Sequence, residues 1–108
     1  MPKFMAVYTG SPQATPPSEE TIAKGMAAWS KWVNDHAKSI VDTGGPLGKT
    51  LKVSKDGIAK TSNALAAYVI VEAASQEDAA RMFENHPHFA IFPGEGVEVM
   101  PVLPVPNR

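Results

Sequence analysis

The stretch Ala66-Ala67-Tyr68-Val69-Ile70-Val71-Glu72-Ala73 decides the fold of this chain. Its centre concentrates β-branched and aromatic residues, with Tyr68 and Ile70 on one face and Val69 and Val71 on the other. A strand apolar on both faces belongs inside a sheet, and both faces need cover. A second such run, Phe4 to Tyr8, ends in the turn residues Thr9-Gly10-Ser11-Pro12 and reads the same way.

Outward from these strands, Ser18 is a good N-cap with Glu19 and Glu20 in the first turn, where the helix dipole favours negative charge. From there Ile22, Met26, Trp29, Val33, His36 and Ile40 form one stripe, and Lys24, Lys31 and Lys38 mark a solvated opposite face. Thr43-Gly44-Gly45-Pro46 is expected to stop this helix. Thr50 to Ser54 reads as a short strand and Lys55-Asp56-Gly57 as a hairpin turn, while Lys60 to Ala64 is ambiguous. Ser75 caps a second helix, with Ala79, Met82 and Phe83 inward, and Pro87 is expected to end it. Val97 to Leu103 is the last strand, and its Pro101 suits an edge, since proline cannot donate to a ladder.

The order is β-α-β-β-α-β. An α+β, ferredoxin-like architecture follows: a four-stranded antiparallel sheet with two helices on one face. The chain of 108 residues is expected to be one domain, with a folded core over 1–103 and a tail over 104–108. Two helices cover one sheet face only, and the central strands are apolar on both. A second copy is the simplest cover, so the expected assembly is a homodimer through the sheet faces, a dimeric α/β barrel.

Composition narrows the classes. Lys plus Arg (10) nearly balances Asp plus Glu (11), which gives no field to draw nucleic acid or an anionic membrane. The absence of cysteine removes disulfides and thiolate chemistry and fits a reducing, cytoplasmic setting. The first apolar run is too short for a signal peptide or membrane span. Gly44-Gly45-Pro46-Leu47-Gly48 has neither the Walker spacing nor the dinucleotide fingerprint, and no G-x-S-x-G elbow occurs, so no cofactor is expected.

The Phe4 to Tyr8 strand, Ala28-Trp29 with Trp32, Val41-Asp42 leading to Gly44-Gly45-Pro46-Leu47-Gly48, Tyr68 to Ala73, His86-Pro87 and Val97 to Val102 together resemble the YCII-related family. The resemblance spans nearly the whole chain and implies a ferredoxin-like fold that dimerises as an α/β barrel. Some members pair a helix-one histidine with an aspartate ahead of the third strand; here that helix position falls near Ala28 or Trp29. A second branch carries Asp-Gly-Pro-Phe where this chain has Asp56-Gly57-Ile58-Ala59. The resemblance therefore implies a shape and no catalytic residue.

Chemistry must be read from the residues themselves. His36 lies in the apolar stripe, where it is the candidate general base or else a pocket-lining histidine bonded to a backbone carbonyl. Trp29 is expected in the core, and Trp32 near the stripe's edge beside His36. Tyr8, Trp32 and His36 are expected to line an apolar cleft with polar tips, with Ser11 and the proline-rich loop as a lid. His86 joins them as a ligand-binding candidate, and His86 and His88 flank Pro87 at a helix end; His-Pro-His is no established metal spacing, so no metal is expected. The function expected is a homodimer binding a small, partly aromatic metabolite, with isomerase-like or lyase-like acid-base chemistry open to His36. The alternative is a non-catalytic structural or accessory dimeric module. The residues leave open whether the chain is an enzyme.

Overall fold

The computed structural model describes residues 1–11 and 15–106. Nine elements follow in order: β1 (Lys3–Thr9), α1 (Glu19–Asp35), β2 (Ile40–Pro46), β3 (Thr50–Ser54), β4 (Gly57–Thr61), β5 (Leu65–Glu72), α2 (Gln76–Arg81), α3 (Pro87–Ala90) and β6 (Gly96–Pro101). Four strands form one antiparallel sheet in the order β2-β5-β1-β6, and β3 and β4 form a separate two-stranded ribbon. This is the ferredoxin-like α+β arrangement. The most apolar strands, β1 and β5, are its centre, and the proline-bearing β6 is an edge.

The register sorts the side chains into two faces. Phe4, Ala6 and Tyr8 of β1 stand beside Val71, Val69 and Ala67 of β5, and Ala6 and Tyr8 beside Val99 and Val97 of β6. Trp32 from α1, and Ala79 and Phe83 from α2 and its following turn, close over this face to make the core. Among the described residues no helix covers the opposite face. It carries Met5 level with Ile70 and Met100, and Val7 level with Tyr68 and Glu98. Met100 is 41% exposed there.

Both helix starts form as their caps require: Ser18 accepts from the Thr21 amide at 3.1 Å and Ser75 from the Asp78 amide at 3.0 Å. Four expectations are corrected. The first helix ends at Asp35, and Ile40 to Pro46, expected as its tail and stop, is instead the second strand of the main sheet. The edge of β5 needs a hydrogen-bonding partner and this segment supplies it: Glu72 N donates to Ser39 O at 2.8 Å and Leu47 N to Ala66 O at 2.9 Å. Gly44, at φ 63, serves a register shift within that strand rather than a helix end. The strand expected at Thr50 to Ser54 accordingly lies outside the main sheet, in the ribbon, whose β4 continues to Thr61.

The inward stripe is also shorter than expected. Ile22 and Met26 are 42% and 57% exposed, because the buried side of α1 runs through Gly25 and Trp32 and the first half of the helix faces Phe92 across Gly25. Finally, Pro87 does not merely end a helix. Asn85 takes a left-handed conformation (φ 56), and Pro87 then opens α3 with His86 as its N-cap. His86 and His88 therefore sit at a helix start, not at the C-terminal end of α2.

Beyond β6, residues 102–106 carry no regular element, and Val102 N donates to Lys3 O at 2.9 Å. Part of the proline-rich loop (12–14) and the end of the tail (107–108) lie outside the described residues.

Candidate active-site cavity and its histidine wall

Cap chemistry places the most buried polar side chain among the described residues. As N-cap of α3, His86 accepts the His88 amide on Nδ1 at 3.0 Å. A nitrogen that accepts cannot hold the proton of a neutral imidazole, so that proton is on Nε2. Nε2 faces the Tyr8 hydroxyl at 3.2 Å and donates to it. His86 is 0% exposed, enclosed by the rings of Trp29 (centroids 4.6 Å apart), Trp32 (4.8 Å), Tyr8 (5.0 Å) and Phe83 (5.9 Å). Burial, then the neighbouring His88 and His36, hold its pKa down to about 4. Burial also pushes the Tyr8 phenol well above its ordinary range. Both groups are thus neutral and fixed.

His88 stands one layer further out. Its ring lies 5.2 Å from that of Tyr8, and its Nε2–H donates to the Thr9 carbonyl at 2.8 Å. In the neutral form of that ring, a proton on Nε2 leaves the lone pair on Nδ1. The ring is half-buried and forms part of the wall of a cavity of about 720 Å³. Gly94 packs directly on that ring: a Cβ there would overlap His88 Nε2, so the absence of a side chain permits the contact.

The cavity lies at one end of the sheet. Gly10 and Ser11 after β1, residues 47–49 between β2 and the ribbon, residues 50–51 and 60–63 of the ribbon and the turn after it, the start of β5 and residues 92–94 line it together with His88. Leu51 and Lys60, paired across the ribbon on one of its faces, both reach it. The wall is largely apolar with scattered hydroxyls, and it contains two lysines, one histidine and no carboxylate. Such a lining can desolvate a ring, satisfy oxygen substituents and take up a proton.

The sequence candidates divide around this cavity. Ser11 lines it. Tyr8 and His86 meet in the layer behind His88. Trp32 and His36 do pair, with ring centroids 4.7 Å apart, but in packed surroundings: the Trp32 indole N–H donates to Met82 O at 2.7 Å, and His36 Nδ1–H to Trp32 O at 2.8 Å. His36 is the C-cap of α1 and is half-buried, bonded to a backbone carbonyl. Trp32, expected at the stripe's edge, is buried in the core while still beside His36, and Trp29, expected in the core, packs against it half-buried between Tyr8 and Phe92. His88 is the residue that sequence reading passed over as a site member. Its signal was the His-Pro-His run, read for a metal rather than for a cap. Among the described residues no group of three or more His, Cys, Asp or Glu could hold a metal ion, and no helix is long and apolar enough to cross a membrane.

The same architecture occurs in a solved enzyme. The 5-chloro-2-hydroxyhydroquinone dehydrochlorinase of Burkholderia phenoliruptrix AC1100, in complex with 2,5-dihydroxybenzoquinone, superposes with a TM-score of 0.55 at 20% identity, covering 90% of this chain and 89% of that one. This likeness shows a shared fold. A scan against protein-family models and a search of curated proteins give no match.

Proposed function

We propose that this protein binds a small, partly aromatic metabolite in the cavity walled by His88 and that His88 moves a proton on it. The carrying observation is the hydrogen bond from His88 Nε2–H to Thr9 O in the wall of an apolar cavity, which in the neutral ring leaves Nδ1 to serve as the base. A proton taken from the ligand goes to Nδ1 and makes an imidazolium whose other N–H still donates to Thr9 O. Tyr8 and His86 act behind His88 as positioning residues, Ser11 contributes to the wall, and Trp32 and His36 support the aromatic cluster. The fold shared with an enzyme of hydroxylated aromatic chemistry supports this reading.

The same proposal includes a homodimer. Met5, Ile70 and Met100 lie level on a face that no helix covers, and the ribbon holds Leu51, Val53 and Ile58 out to solvent, Val53 at 74% exposure. A two-stranded ribbon alone is marginal in water, so both features call for a neighbouring surface.

The test combines ligand-induced melting shifts with hydrogen-deuterium exchange at ring carbons of hydroquinones, followed by NMR. Wild type should show both, and His88→Gln should retain the melting shift while slowing exchange about a hundredfold or more. Loss of exchange in His36→Ala but not in His88→Gln would move the proton-transfer role to His36. No shift with any small aromatic acid, lactone or phenol would favour a non-catalytic module.

A further inference from the structure

We infer that the cavity selects aromatic anions, rings that carry a carboxylate, over neutral phenols of the same size. The inference rests on the proposed binding site and concerns what that site prefers. Lys49 and Lys60 both line the cavity, one on each side of the Thr50–Thr61 ribbon pair. Among the described residues the ion pairs are Lys31 with Asp35 and Arg81 with Asp78, so neither cavity lysine is neutralised by a carboxylate. The lining itself contains no Asp or Glu.

Two uncompensated ammonium groups at one concavity raise its potential toward an anion, and because both are exposed this pull is screened by salt. This local excess departs from the chain as a whole, whose formal net charge is −1. The rest of the lining sets the shape of the ligand. Phe92, Leu65 and Leu51 offer apolar contact to a ring, and Thr50, Thr61 and Asn63 offer hydrogen bonds to oxygen substituents. His88 stands on the wall shared with Phe92 and Gly94.

The deciding experiment is calorimetric titration of 4-hydroxybenzoate against hydroquinone, which share a ring and differ in one carboxylate for one hydroxyl, on wild type and on the double variant Lys49→Gln/Lys60→Gln. The anion should bind wild type about tenfold or more tightly than hydroquinone, with the advantage shrinking as salt is raised and falling below about twofold in the double variant. Hydroquinone binding as tightly as 4-hydroxybenzoate, or an advantage that survives the double variant, would overturn the selectivity while leaving the cavity a binding site. Failure of both ligands to bind would overturn the binding site together with its selectivity. Circular dichroism of the double variant checks that its fold is kept, and both lysines are exposed.

Discussion

The Tyr8 hydroxyl and His86 Nε2 meet at 3.2 Å inside the protein, although 78 positions separate them in the chain. The bond ties the central strand β1 to the cap of α3 and fixes the layer on which His88 rests. It also makes the interior sensitive to acid.

Stability should fall as the pH drops from about 6.5 toward 4. Folded His86 takes up its proton only near 4, whereas the unfolded chain does so near the ordinary 6.5, so in that window the unfolded state binds more protons and gains on the folded one. Above the window this term is constant and fully in place. The difference corresponds to about 3 kcal/mol across the window, an upper figure for a single group. Urea midpoints at several pH values, with the His86 ring followed by NMR, check it; a His86 titration at 6 to 7 with flat stability would contradict it.

Tyr8→Phe should cost about 1–3 kcal/mol, because it leaves the His86 Nε2–H buried without an acceptor while changing little volume. Equilibrium unfolding measures this. A cost under about 0.5 kcal/mol would mean that another acceptor replaces the phenol.

Gly44→Ala and Gly45→Ala should differ sharply. At Gly44 the backbone is left-handed and a Cβ would overlap the Tyr68 carbonyl oxygen, so loss of more than about 3 kcal/mol is expected. At Gly45 nothing lies within 4 Å of the added methyl, and the change should stay within about 1 kcal/mol. Paired thermal melts distinguish them, and equal effects would show that the register shift in β2 is not needed.

Wild type should sediment as a dimer at micromolar concentration, and Met5→Lys should shift it to monomer. The substitution places a charge in the middle of the Met5, Ile70, Met100 row without touching the core on the other face of β1. Far-UV circular dichroism of the variant should remain that of wild type. A monomeric wild type would remove the dimer from the proposal.

Against this geometry, local signals account for a definite part of the fold. Ser18 and Ser75 are legible as caps because their hydroxyls answer amides three positions on. β1 and β5 are legible because only a central strand is apolar on both faces, and Asp56-Gly57 marks the ribbon turn because Gly57 takes a φ of 105. The β2 segment is not legible. Gly44-Gly45-Pro46 has the composition of a helix stop, and what makes it a strand is the open edge of β5, which no local rule contains.

The site divides in the same way. Sequence by itself determined which residue types could carry chemistry and that three histidines and two tryptophans lie on or beside the helices. Only the tertiary structure decided that Pro87 starts a helix, that His86 is therefore a cap enclosed by four rings, and that His88 forms part of a cavity wall with its Nε2 bonded to Thr9 O. The physical reason is that propensity and capping act over a few residues, whereas burial, tautomer and access are set by partners dozens of positions away, brought together by one sheet.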